Sequence, residues 1–315
     1  MNILLTGAAG YIGNHCALKL ASSDYSIFGL DFFRPLNISL FQKFYTGDHG
    51  NTAFVQSILK EERIECIIHC SGTSNIAEMI KDPFRYYCND LIGTVFFLQA
   101  ALKNNVKKLI FISSAQVYGN VPQFAANENT PPNPINSHGK IKLAIEQLIE
   151  SLTVSHDLHA IILRITNVIG MDPNGTVFPQ NNDLLSLILL NNSVDIFVRN
   201  DTMADHEPER DFIHVNDVAS AIIATLPKLG HSEKYSIYNI SSGQTNSIKN
   251  IIEIAGNILH KNIIITPQKH RIGEIERLAI SPNLAQRELD WHLQYPHLEY
   301  IIETAVRWLH NHGKF

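Results

Sequence analysis

The chain has 315 residues, about two domains' worth at ~150 residues each, or one large α/β unit with an appended lobe. Lys and Arg number 25 against 30 Asp and Glu, a formal charge of -5 with a pI near 6.3; with no basic excess to attract a phosphate backbone, nucleic acid is not an expected partner. Apolar runs fall well short of the ~20 residues that cross a bilayer, and Met1 leads into Asn2-Ile3-Leu4-Leu5 without a charged leader, so no membrane span is expected and a cytoplasmic protein is.

Short apolar strands are predicted at Asn2 to Thr6, Ser26 to Asp31, Lys43 to Thr46, Cys66 to Cys70, Lys108 to Ser113 and His159 to Ile165. Helices are predicted between them at Tyr11 to Ser22, Thr52 to Glu62, Pro83 to Asn104 and His138 to Ser155. Strands alternating with helices imply βαβ units and a Rossmann-type doubly wound parallel sheet, an α/β fold. After Ile169-Gly170 the rhythm breaks into loops. A helix then follows at Leu184 to Leu190, a strand at Val194 to Val198, a helix at Val215 to Leu226 and a strand at Tyr235 to Ile240. Three more helices are expected at Ser247 to Leu259, Pro282 to Asp290 and His297 to His310. The expected division is a dinucleotide-binding domain over 1–170, with 211–242 packing back onto it, and a smaller C-terminal α/β substrate lobe over 171–315. Cys16, Cys66, Cys70 and Cys88 form no Cys-x-x-Cys pair and have no His at zinc spacing, so they are read as small hydrophobes in a reducing compartment and no metal site is expected.

Thr6-Gly7-Ala8-Ala9-Gly10-Tyr11-Ile12-Gly13 follows the first strand and opens a helix. Gly7 permits the tight turn, Gly10 lets a pyrophosphate approach the backbone, and Gly13 lets the helix pack closely on the sheet. The second strand ends on Asp31, whose carboxylate can accept ribose hydroxyls and repel a 2′-phosphate, favouring NAD over NADP.

The Gly-x-x-Gly-x-x-Gly spacing resembles that of the extended short-chain dehydrogenase/reductase superfamily. So do Gly47-Asp48, His69-Cys70-Ser71-Gly72, Tyr87-Cys88-Asn89 and Ser113-Ser114-Ala115-Gln116-Val117-Tyr118-Gly119. Within it the chain is most similar to the nucleotide-sugar epimerases typified by UDP-glucose 4-epimerase, through Leu163 to Gly170, Arg210 to Ala219 and Arg271-Ile272-Gly273-Glu274. The resemblance implies that Gly7, Gly10, Tyr11, Ile12, Gly13, Asp31, Asp48 and Lys142 hold NAD. It implies that Asn167, Asn182, Arg210, Arg271 and Glu274 hold the nucleotide diphosphate of the substrate, with a UDP-sugar expected. Two Arg from separate segments suit a diphosphate, because each presents fixed donors. Relatives pair their two long helices into a four-helix bundle, implying a homodimer here through Pro83 to Asn104 and His138 to Ser155.

The superfamily uses a Ser after the fifth strand and a Tyr-x-x-x-Lys pair. Ser114 and Lys142 match the Ser and the Lys, and His138 stands at the Tyr position. The predicted catalytic set is therefore Ser114, His138 and Lys142, for an enzyme that inverts a sugar hydroxyl through a transient 4-keto intermediate. His138 and Lys142 are four residues apart and share a helix face beside the stripe of Ile141, Ile145, Leu148 and Leu152. An imidazole of ordinary pKa about 6.5 is a competent neutral base at pH 7, Lys142 would lower it further, and a rate falling through the His titration is expected. Imidazole is shorter than phenol, so reach is the demand on this site. The other reading is a protein that binds NAD and nucleotide sugar without turnover, as a sensor or partner subunit. Ala115-Gln116 stands where sugar 4,6-dehydratases carry an acid pair, which argues against dehydration.

Overall fold

The computed structural model describes residues 1–73, 76–121, 124–177, 184–198, 208–231, 233–269 and 273–313. Asn182 and Arg271 lie outside them. The elements run β1 (Asn2–Thr6), α1 (Tyr11–Leu20), β2 (Ser26–Asp31), β3 (Lys43–Thr46), α2 (Thr52–Glu61), β4 (Cys66–His69), α3 (Ile76–Lys81) and α4 (Pro83–Tyr86). A π-helical turn over Tyr87–Ile92 joins α4 to α5 (Gly93–Lys103). Then come β5 (Lys108–Ser114), α6 (Ser137–Ser155), β6 (His159–Ile165), β7 (Asn167–Ile169), α7 (Leu184–Leu190), β8 (Ser193–Val198), β9 (Glu209–His214) and α8 (Val215–Thr225). The chain closes with β10 (Tyr235–Ile240), β11 (Thr245–Ser247), α9 (Ile248–Leu259), β12 (Ile264–Lys269), β13 (Arg277–Leu278), α10 (Asn283–Leu289) and α11 (Leu298–Asn311).

Seven strands form one parallel sheet in the order β3-β2-β1-β4-β5-β6-β10. Both faces of each inner strand are buried, which is why these segments read as continuous apolar runs. Leu5, Ile68, Ile110 and Leu163 pack on one side in a cluster with Cys16, Ala17, Val218 and Ile222. Leu4, Ile67, Leu109 and Ile162 pack on the other with Val55, Phe97 and Ile145. Strand order reverses between β1 and β4, the place in such sheets where a crevice opens beyond the carboxyl ends of the strands.

Beyond β6 the smaller elements cluster around Ile169, Leu185, Phe212, Ile251 and Ile302. β9 is central there, flanked by β11 and β13 and paired with β7. Sequence reading placed no strand at β9, because Arg210, Asp211 and His214 interrupt its hydrophobicity; all three are buried against specific partners, which no periodicity signals. The helix expected from Pro83 to Asn104 is interrupted by the π turn, a departure that propensity does not encode. Asp82 caps the start of α4, accepting from the Arg85 N–H at 3.2 Å.

Candidate active site

At the end of β1, Gly7 takes φ +65°, and a Cβ on it would lie 2.8 Å from the backbone of Cys70 and Ser71. A Cβ on Gly13 would strike the Gly7 carbonyl oxygen, so α1 can approach the sheet only through glycine. Gly10 begins α1 with no capping side chain, and its only close neighbour is the Gly7 oxygen, 3.1 Å from a built Cβ. A helix start shaped wholly by backbone accommodates a phosphate. The two oxygens of Asp31 accept from the N–H groups of Ala9 and Phe33, each at 3.0 Å, tying the carboxylate to the glycine turn with lone pairs to spare for a ribose. Asp48 accepts from Gly50 N–H at 2.7 Å. The Tyr11 hydroxyl donates to the Gly170 carbonyl, so Tyr11 ties α1 to the segment after β7. These residues fit a dinucleotide.

The reacting end is built where β5, α6 and the loop after β4 meet. Ser114 ends β5 and caps the following 3₁₀ turn, its Oγ accepting from Gln116 N–H at 3.2 Å. Asn136 starts α6: its Oδ1 accepts from Gly139 N–H at 2.9 Å, while its Nδ2 donates to Gln116 Oε1 at 2.8 Å and to the Gly273 carbonyl at 3.0 Å. That residue thus sets the position of His138, two residues on. Lys142 is buried, donates through Nζ to the Ile112 carbonyl at 2.7 Å, and lies 4.8 Å over the Phe111 ring.

His138 is 7 % exposed. Its Nδ1 lies 2.9 Å from the Thr73 carbonyl, which can only accept, so Nδ1 carries the proton and the lone pair is on Nε2. Burial, then the like charge of Lys142, pushes the ring down to about 3. Lys142 acts in the expected direction, but desolvation is the larger cause, and the acid limb expected near 6.5 moves far down. Burial also lowers Lys142, against the attraction of Asp90. No hydrogen bond joins Ser114 to His138 among the described residues.

Arg210, on β9, is buried and donates to Glu274 Oε1 at 3.0 Å and to the carbonyls of Glu209 and Glu276. It stays charged, since guanidinium does not deprotonate in proteins. Glu274, expected to touch substrate, is held by this arginine. Asn167 begins β7 opposite Phe212, and no other described residue hydrogen-bonds its side chain. Thr166 is buried and its Oγ1 donates to Asp211 at 3.5 Å, so it faces a packed cluster. Thr73, Asp90 and Asn136 went unnoticed in the sequence; only Asn136, ahead of Ser137 at a helix start, carried a readable capping signal.

The family model described as NAD dependent epimerase/dehydratase matches residues 3–241. A UDP-glucose 4-epimerase of Halalkalibacterium halodurans is 32% identical over 325 residues, covering 99% of this chain and 97% of that protein. A crystal structure of a UDP-glucose 4-epimerase superposes with a TM-score of 0.90 at 29% identity, over 99% of this chain and 98% of the other. The Stenotrophomonas maltophila UDP-glucose-4-epimerase, with bound NAD and formylated UDP-arabinopyranose, also gives 0.90, at 26% identity over 100% and 99% of the two chains.

Proposed function

The chain belongs to the NAD dependent epimerase/dehydratase family, and we infer that it is an NAD-dependent nucleotide-sugar 4-epimerase whose proton-handling side chain is His138. The observation that carries this is the fixed tautomer: Nδ1–H is held by Thr73, so the Nε2 lone pair is left to a substrate hydroxyl, one helical turn from Lys142. Bound NAD supplies the acceptor, and later the donor, of a hydride at the sugar carbon. The glycine turn and the start of α1 hold the pyrophosphate of that cofactor, and Asp31 and Asp48 its adenosine end. Lys142 brings a buried positive charge beside His138 and the cofactor.

Nε2 accepts the hydrogen of the sugar hydroxyl, and the Ser114 hydroxyl is assigned to orient the same oxygen. A ring this hard to protonate is a weak acceptor and, once protonated, a strong acid. Epimerisation needs both directions, so what burial gains in returning the proton to the 4-keto oxygen it costs in removing the proton from the hydroxyl. Arg210, with Arg271 and Asn167, takes the nucleotide diphosphate; Asn182 and Glu274 are assigned to the same subsite. A UDP-sugar is the substrate we assign, since the three UDP-glucose 4-epimerases above cover 99% or more of the chain.

We assign 1–170 with 211–242 to cofactor binding and 171–315 to substrate. The place of β10 in the large sheet and the packing of Val218 and Ile222 with Cys16 and Ala17 support it. The active form is a homodimer. Val95, Leu98, Leu102, Leu148 and Leu152 of α5 and α6 line an apolar cleft of about 450 Å³, and Ile92 and Phe96 nearby are each 45 % exposed, an apolar face suited to a second copy. No helix among the described residues is long and apolar enough to cross a membrane. Cys16, Cys66, Cys70 and Cys88 are all free, which suits the cytoplasm.

The test incubates wild type and His138→Tyr with NAD and a panel of UDP-sugars, separating epimers by chromatography. Epimer from the wild type is expected. Turnover by the Tyr variant alone would replace this reading with that of a binding protein.

A further inference from the structure

Asp90 is 8 % exposed and sits inside the π-helical turn between α4 and α5, on a different element from the Ser, His and Lys of the site. A π turn inserts an extra residue and re-aims the side chains around it, and such turns recur at functional positions. Here Thr94 Oγ1 donates to the Asp90 carbonyl at 2.5 Å, closing the turn. The carboxylate reaches across to the loop after β4, where its Oδ2 accepts from Thr73 N–H at 3.0 Å. The carbonyl of the same Thr73 accepts from His138 Nδ1–H at 2.9 Å. Gly72 precedes it at φ +136°, and a Cβ there would lie 3.3 Å from Lys142 Nζ and 3.8 Å from Asp90 Oδ2. The positive φ is what calls for glycine where the loop passes between the two charges.

We propose that Asp90 is a positioning residue for the reaction: by gripping the Thr73 N–H it aims the Thr73 carbonyl at His138, fixing the Nδ1–H tautomer and presenting Nε2 to the sugar. The role rests on the assignment of His138 as the proton-handling group, and it answers the reach problem that a shorter ring creates. A phenol needs no tautomer chosen for it; an imidazole does, because the wrong one would offer substrate a donor in place of a lone pair. A carboxylate that orients an imidazole usually bonds to it directly, whereas here one residue of the β4 loop stands between them. Asp90 also faces Lys142 and offsets part of its burial.

The experiment compares wild type, Asp90→Asn and Asp90→Leu, loaded with NAD. The His138 tautomer is read by long-range proton–nitrogen NMR, and kcat and KM are measured with a UDP-sugar. The asparagine variant keeps an acceptor for Thr73 N–H, so it retains the Nδ1–H form and most of kcat. The leucine variant keeps the volume but not the acceptor; it loses the single tautomer, and kcat falls about 10- to 100-fold with KM unchanged, as ~1 Å of misplacement commonly costs. An Nε2-protonated ring in the wild type overturns the proposal and needs no variant to fold. So does a leucine variant with wild-type tautomer and kcat, or an asparagine variant as impaired as the leucine one. A wild type that turns over no sugar, but whose tautomer is lost in Asp90→Leu, supports the positioning and retires the epimerase reading instead.

Discussion

His138 is poised by two neighbours and a dry setting. The sign of its shift is set by the protonated form, which burial and Lys142 both disfavour, so the folded ring titrates far below a free one. We expect its NMR signals to stay constant from pH 8 to pH 5; a midpoint near the ordinary ~6.5 would contradict the burial described here. Any loss of turnover in that range then belongs to another group. His138→Ala should lower kcat by ~100-fold or more, the usual worth of a positioned proton acceptor, with NAD still bound. The complementary role at the far end of the cofactor is the one proposed for Asp31. Asp31→Ala should weaken NAD binding by ~10-fold, through lost bonds of about 1.5 kcal/mol or more to a charged acceptor, and should narrow the preference over NADP, both readable by fluorescence titration.

Helix α6 carries His138 and Lys142, and its start is fixed by Asn136 rather than by its own propensity. That side chain caps the helix and also holds Gln116 and the Gly273 carbonyl, so it fastens the β5 turn, α6 and the loop before β13 together. Asn136→Ala should cost about 1–2 kcal/mol in denaturant unfolding from the lost cap. Its activity should fall by more than stability explains, since the frame of His138 is loosened. Farther along α6, Glu146 forms a buried ion pair with Arg164, Oε2 to Nη2 at 2.6 Å, and accepts from Ser113 of β5. Glu146→Ala strands that arginine, and such losses cost about 3–5 kcal/mol.

Among the described residues of the whole molecule, five imidazoles are held in neutral form. His15, His49, His69, His138 and His214 are all lowered by burial before any other cause. In the unfolded chain each binds a proton below ~6.5, so acidification from pH 6.5 favours unfolding. Asp211, raised to about 7, and Asp217, raised to about 6, act the other way, since their folded forms hold protons the unfolded chain has released. Asp90, also raised by burial, acts with them; five groups outweigh three, and Tm should fall between pH 7 and pH 5, whereas a Tm that rises would refute the neutral histidines. At the same scale, the exposed apolar face of α5 and α6 predicts by light scattering a dimer for the wild type and a monomer for Val95→Asp with Phe96→Glu.

The sequence by itself determined the large sheet and the cofactor end. Strands buried on both faces are written as unbroken apolar runs, and the glycine turn needs residues that no other type replaces, so β1 to β6 and Gly7, Gly13 and Asp31 were legible as residue types in order. The family resemblance likewise marked Ser114, His138, Lys142 and Arg210 as a set. Only the tertiary structure decided what those groups can do. The tautomer of His138 depends on Thr73, 65 residues away, and the aim of Thr73 on Asp90, 17 residues from it, in a π turn that the helical pattern of Pro83 to Asn104 conceals. β9 was hidden for the same reason. Its polar residues are buried because partners from other segments satisfy them, and such pairing exists only once the chain has folded.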